Sequence, residues 1–262
     1  MRDIRTRYLP DDESSRLYRN HPHIGRSYLE YCPTCNATGT YRWRGKEHSC
    51  DCEEQLQLHK WYLASGIGVT YQRLDFDDYQ GPTDVLDGVV KYLERREDFL
   101  ARGMGMFLVG SYGTGKTMLA NLVLKEMVRD GHTCFATTFS QTVEMFTAGW
   151  SDKVEKEYFQ RKFIGSRVLL LDDLGRELRG TKLALAETTF DAILRQRVQA
   201  GRATIITTNM EPEELGDGYG AAILSLIREK SLQLVFGGSD FRIEANSREV
   251  DEIMAGETRP IV

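Results

Sequence analysis

Eight residues from Gly110 to Thr117, GSYGTGKT, satisfy the spacing G-x-x-x-x-G-K-[ST]. Each residue type meets a need of a bound phosphate tail. Glycines let backbone N–H groups turn inward around phosphate oxygens, the lysine sets a point charge on the β and γ phosphates, and the Thr hydroxyl reaches Mg²⁺. Gly110, Gly113, Thr114, Gly115, Lys116, Thr117 and Met118 are the candidate nucleotide contacts, with ATP and Mg²⁺ as the implied ligands. Further on, LLLDD ends an apolar run in two carboxylates. Asp172 is expected to hold Mg²⁺ together with Thr117, and Asp173 to orient and polarise the attacking water. Asp173 is one methylene shorter than the Glu many ATPases carry there, which favours slow turnover. Asn209, closing ATIITTN, is placed to hydrogen-bond the γ-phosphate or that water, although an asparagine at a strand end also serves as a turn residue. Arg228 in ILSLIREKS and Arg242 in SDFR each read, alone, as surface or ion-pair residues. In an oligomeric ATPase an arginine from a neighbouring subunit stabilises transition-state charge, which makes self-association part of the expectation. Lys116, Asp172, Asp173, Asn209 and Arg228 form the candidate catalytic set.

A second cluster is made of sulfur. Cys32-x-x-Cys35, fourteen residues, then Cys50-x-Cys52 place four of the five cysteines in a segment too short for a core of its own. A tetrahedral Zn²⁺ site would supply that folding energy. His48 is near enough in sequence to replace one cysteine, and free thiols or a redox pair are the alternative. Cys134 falls in an apolar stretch and reads as core. Between the ligand pairs, TYRWRGK interleaves Arg42, Arg44 and Lys46 with Trp43. That composition suits stacking on a single-stranded base, docking on a protein, or simply a solvated loop. EKEYFQRKF, with Tyr158, Phe159, Arg161 and Lys162, offers a similar mixture, better read as one face of an amphipathic helix.

The elements that must position these groups alternate. A helix is expected over EEQLQLHKWYLASG, stopped at Gly66, and the domain boundary near residues 66 to 80. Leu86, Val89, Val90, Leu93 and Leu100 recur at helical spacing before the strand MFLVG. Residues 116–129 read as the helix behind the glycine loop, then TCFATT and RVLLLDDLG as strands. A helix carrying Leu183, Ala186, Phe190, Ile193 and Leu194 precedes ATIITTN, and LQLVF is the fifth strand. Such alternation implies an α/β fold with a five-stranded parallel sheet covered on both faces. Residues 1–30 show no clear period and read as a tail or short helices.

Composition sets outer limits. The 262 residues are 41% hydrophobic and 28% charged with net charge −5, so no global basic surface for nucleic acid exists and any such contact must be local. No run approaches the ~18 apolar residues of a membrane span, and the charged N-terminus lacks a signal-peptide core. A cytoplasmic protein without membrane contact is expected, and a reducing compartment favours metal ligation over disulfides.

Taken together, CPTCNATG, CDCEE, ASGIGVTYQRLDF, GSYGTGKT, LLLDDLG, IITTN and SDFR resemble the DnaC-type replicative helicase loaders of the AAA+ ATPases, whose IstB relatives share the ATPase half. The resemblance covers nearly everything after residue 30. It implies an N-terminal tail and zinc-binding domain over residues 1–66 that binds a hexameric replicative helicase, and an AAA+ ATPase domain over 67–262. Such a protein assembles with ATP and helps place the helicase ring on single-stranded DNA. By the same resemblance Asn209 is sensor 1, Arg228 the finger reaching a neighbour's site, and Arg242 sensor 2. Only twenty residues follow Arg242, so a full helical lid is not expected. The alternatives are an IstB-like transposition ATPase acting on duplex DNA, which the cysteine cluster disfavours, and a zinc-bearing nucleoside kinase, in which the zinc segment follows the ATPase half.

Overall fold

The computed structural model of the protein describes residues 7, 9–22, 24, 32, 34–36, 38–175, 183–257 and 259–262. Helix α1 (Asp11–Asn20) precedes an antiparallel hairpin of β1 (Thr40–Trp43) and β2 (Lys46–Ser49), and α2 (Asp51–Ala64) leads into the connector. There a single turn, α3 (Val69–Gln72), is followed by α4 (Thr83–Glu94) and α5 (Arg96–Ala101). The alternating part then runs β3 (Gly105–Gly110), α6 (Lys116–Arg129), β4 (Cys134–Thr138), α7 (Phe139–Ala148), α8 (Lys153–Phe159), β5 (Val168–Leu174) and α9 (Leu183–Gln199). It finishes with β6 (Ala203–Thr208), α10 (Pro212–Tyr219), α11 (Ala221–Glu229), β7 (Ser231–Phe236) and α12 (Arg242–Ala255).

Strands β3 to β7 form one parallel sheet in the order β4-β5-β6-β3-β7, as the alternation of elements demands. Because side chains alternate across a strand, each strand feeds two cores. Met106, Leu108, Leu170 and Ile205 pack toward α4 and α6, whereas Phe107, Val109, Leu169, Leu171 and Ile206 pack toward α7, α9 and α11. Ala186, Phe190, Ile193 and Leu194 are buried on one side of α9, as their spacing predicts, while the side chain of Leu183 lies outside the described residues.

Helix α2 packs into the core of the alternating part. Its Leu58 and Tyr62 and the following Ile67 are buried in the same core as α6. Helix α2 stops at Gly66, whose φ of +74° belongs to the left-handed region; a Cβ there would meet Ala136 O at 2.1 Å. The same turn covers the outer edge of the sheet, with Ala136 N donating to Ser65 O at 2.8 Å. Helix α1 lies over α8. Arg16 forks onto Glu155 at 3.0 and 3.2 Å and stacks 3.7 Å above the Tyr158 ring, while Lys162 donates to Glu13 and Ala64 O, each at 3.0 Å. Phe159 and Lys162 are buried and Arg161 pairs with Asp12, so the aromatic-basic mixture of EKEYFQRKF is taken up in this packing.

Candidate active site

The phosphate loop joins β3 to α6 at the carboxyl edge of the sheet, where ligands of open α/β folds bind. Its tightness depends on glycine. At Gly113 (φ +73°) a Cβ would strike the Asp240 carboxylate at 1.8 Å, and at Gly115 (φ +88°) it would meet the Tyr79 ring at 2.7 Å. Helix α6 begins at Lys116, so its unpaired N–H groups and positive dipole end face the loop. Lys116 Nζ donates to the carbonyls of Gly110 and Ser111 at 2.8 and 2.6 Å, and Thr114, fully buried, donates to Ser111 O at 2.9 Å. Burial pushes the Lys116 ammonium down to about 8, against the pull of Asp172 and Asp173; the charge of Arg242 pushes it the same way as burial.

The two carboxylates arrive on β5, between β4 and β6. Asp172 Oδ1 accepts from Thr117 Oγ1 at 2.9 Å and from Thr207 Oγ1 at 2.6 Å. Burial raises the Asp172 carboxyl above its ordinary range, and the two hydroxyls oppose that rise. Asp173 sits in a bulge of the β5–β6 pairing with φ +59°, a costly conformation for a residue with a Cβ. Two bonds from β6 and the residue that follows it hold it there: Asp173 N donates to Thr207 Oγ1 at 2.9 Å, and Asn209 Nδ2 donates to Asp173 Oδ1 at 2.8 Å. Asn209, expected to face the γ-phosphate or the water, therefore grips the neighbouring carboxylate.

Thr207 escaped the sequence reading. Buried on β6, its hydroxyl touches both aspartates, donating to the side chain of one and accepting from the backbone of the other. The available signal was a hydroxyl residue two positions before Asn209, on the same face of an apolar strand.

Beside the loop lies a cleft of about 480 Å³, walled by Val69, Leu74 and Tyr79 of the connector, Met118 of α6, and Phe241 and Ile253 from the C-terminal region. Tyr79 lends its ring to that wall, while its Oη is buried without a hydrogen-bond partner among the described residues. Lys125 Nζ ties the connector to α6, donating to the carbonyls of Tyr71, Gln72 and Leu74. On the far wall Arg259 donates to Asp78 at 2.5 Å and pairs with Glu252 of α12; burial opposes it, yet the guanidinium holds the Asp78 carboxyl below the usual range. Arg242 opens α12, its backbone N–H bonded to Asp240 Oδ1 at 3.0 Å, and its charge is felt at Lys116. Arg228 is exposed on the last turn of α11. Among the described residues no hydrogen bond or ion pair links it to the loop or to the aspartates.

The donor sets fit the groups they imply. Thr117 and Asp172 offer hard oxygens 2.9 Å apart, suited to Mg²⁺. The Sγ atoms of Cys32, Cys35, Cys50 and Cys52 all lie within 4.8 Å of one another, with Cys32–Cys50 at 3.5 Å and Cys35–Cys52 at 3.4 Å. Zn–S bonds of ~2.3 Å in a tetrahedron require sulfurs about 3.8 Å apart, so the cage matches zinc. Backbone amides of Cys35 and Thr34 lead in holding the Cys32 thiol down at about 6, favouring thiolate, while burial pushes Cys50 and Cys52 up. His48 lies on β2, stacked on Tyr41, and the cage is complete without it. Cys134 is buried core. No described helix is long and apolar enough to cross a membrane.

Comparison with known proteins extends the geometry. Escherichia coli K12 YdaV, itself uncharacterized, is 26% identical over 191 residues, spanning 70% of this chain and 75% of that protein. The replicative helicase loader DnaI of Bacillus subtilis 168 is 24% identical over 170 residues, 62% of this chain and 51% of DnaI, so the match spans about half of that relative. The crystal structure of the DnaC helicase loader superposes with a TM-score of 0.58 at 23% identity, covering 65% of this chain and all of that one, which establishes a shared fold. The family model described as IstB-like ATP binding protein matches residues 69–243. With more than half of its length inside that pattern, and the phosphate loop within it, the chain belongs to the IstB-like ATP binding proteins and is an ATPase of the AAA+ type.

Proposed function

We propose that this protein is an ATP-dependent loader that binds a hexameric replicative DNA helicase and helps place it on single-stranded DNA as replication starts. The observation that carries the reading is the four-cysteine hairpin unit fixed directly ahead of the ATPase core by α2. The similarity to DnaI and the fold shared with DnaC support it. Residues 1–66 are the helicase-binding unit and 67–262 the ATPase domain, with α2 belonging to the first by sequence and to the second by packing.

In this reading Lys116 and the amides that open α6 take the β and γ phosphates, and the connector cleft takes the base. Thr117 and Asp172 would hold Mg²⁺, which would supply neutralising charge to the phosphates. Asp173 polarises the attacking water, its carboxylate aimed by Asn209 and its backbone by Thr207. Arg242 adds positive charge from its own subunit. Arg228, exposed and uncommitted to its own site, reaches the γ-phosphate bound by a neighbour when subunits assemble with ATP. Cys32, Cys35, Cys50 and Cys52 would hold Zn²⁺, which would keep the hairpin in shape.

The test is the mass, by light scattering, of the protein mixed with the replicative helicase of its host in ATP and magnesium. A complex containing a helicase hexamer is expected, lost in a chain lacking residues 1–50. That cut spares Leu58 and Tyr62, whose removal would cost the core roughly 1.5–3 kcal/mol apiece. Absence of a complex in every nucleotide state would favour the second reading, an IstB-like transposition ATPase acting on duplex DNA.

A further inference from the structure

We propose that one face of the β1–β2 hairpin is a stacking platform for single-stranded nucleic acid. The register pairs Tyr41 with His48 and Trp43 with Lys46. Side chains alternate across a strand and directly opposed residues share a face, so these four form one surface. Arg42, opposed to Glu47, belongs to the other. The first surface therefore carries three rings and a lysine, and none of its four side chains is acidic.

The rings are placed for contact. Tyr41 and His48 lie stacked with centroids 5.5 Å apart, and Trp43, next along the strand, is 60% exposed although tryptophan is usually among the better buried residues. The two-residue turn adds a second cation: Arg44 and Gly45 both have positive φ, +51° and +77°, and the Arg44 guanidinium lies 5.7 Å from the centroid of the Trp43 ring. Lys46 and His48 are exposed, and Tyr41 is half-buried. Rings two residues apart on a strand are separated by about 7 Å, room for one splayed base on each. The cysteine pairs flank this segment, and Cys50 N donates to Gly39 O at 2.8 Å, so the sulfur cage fixes the strand ends that hold the rings in place.

Exposed rings alternating with cations, without carboxylates between them, complement a chain of phosphates and unpaired bases. Duplex bases are already stacked and offer no free face, which selects the single strand. The inference rests on the loader reading for the kind of strand, and it locates on this chain the surface that meets it.

The test uses the zinc-loaded full chain and a fluorescein-labelled twenty-nucleotide oligothymidylate, followed by anisotropy with ATP and magnesium present. Trp43→Ala is expected to weaken binding about tenfold or more, and Trp43→Phe to restore most of it. Lys46→Ala and Arg44→Asn are each expected to weaken binding and to lower the slope of log affinity against log salt by about 0.7. Zinc content and DNA-free ATP turnover stay unchanged in all four. The proposal is overturned if the wild type does not bind the oligonucleotide, if Trp43→Ala binds as well as the wild type, or if a duplex of equal length binds as tightly. Light scattering with the helicase separates the two readings. Trp43-dependent strand binding without a helicase complex would sink the loader reading alone, whereas a helicase complex lost in Trp43→Ala with strand binding intact would make this face a protein-docking surface.

Discussion

Strand β3, which delivers the phosphate loop, is flanked by β6 and β7, and its Phe107 and Leu108 are 1% and 0% exposed. In the β1–β2 hairpin every strand residue except Tyr41 is exposed. Both regions present a tight turn to a ligand. The loop inherits its shape from cores on both faces of a sheet, so its residues are free to be glycine and lysine. The hairpin has no such support, and its shape depends on four sulfur atoms at its base. Packing rigidifies the chemistry in one place, and in the other a cage of four sulfurs suited to Zn²⁺ closes the base of the turn.

The sharpest way to break this contrast is Lys116→Ala. Turnover should fall by at least ~10²–10³ with the fold retained, because the strand that delivers the loop is held by packing on both faces of the sheet. Undiminished steady-state ATPase activity would remove the loop from the active site. Next in size is metal removal. The protein should contain about one zinc per chain, and chelation should raise amide hydrogen exchange across residues 40–49 by about a hundredfold while residues 105–110 keep their protection. Equal loss in both regions would show that the sheet also leans on the metal.

A smaller change probes the link between β5 and β6. Thr207→Val removes one hydroxyl bonded to a buried carboxylate, worth ~1.5 kcal/mol, so turnover should drop about tenfold and half-maximal activity should need more Mg²⁺. Thr207→Ser should restore both, and a Val variant with wild-type magnesium dependence would leave Thr207 a packing residue. The smallest effect is that of pH. Burial holds Lys116 at about 8, so the ammonium that meets the phosphates is present below that value and lost above it. ATP affinity should weaken severalfold between pH 8 and 9 while adenosine affinity stays flat; parallel behaviour of both ligands would assign the titration to another group.

Much of the sheet was legible because its evidence is local. MFLVG, RVLLLDDLG, ATIITTN and LQLVF are apolar runs with turn residues at their ends, and the loop motif carries its own spacing. The four cysteines were likewise visible as a set. What stayed hidden depends on residues far apart in the chain. Nothing local marks Tyr79 as a wall of the cleft, or Lys125 as the tie between connector and α6, because each acts through backbone tens of residues away. The aromatic-basic run at Tyr158 was ambiguous for the same reason: its cover, α1, comes from a segment without a clear period. Asn209 was identified, but its grip on Asp173 depends on a β-bulge and a positive φ that sequence spacing does not announce.

The base cleft draws one wall from residues 69–79 and the other from 241–259. During synthesis the chain emerges in order, and N-terminal parts fold first. The phosphate loop and its strand neighbours are in place once β7 has emerged, yet the cleft lacks its second wall until Arg259 can reach Asp78. A chain truncated before that point would hold a triphosphate poorly selected for its base, and released chains ending on either side of residue 259 would differ in nucleotide preference.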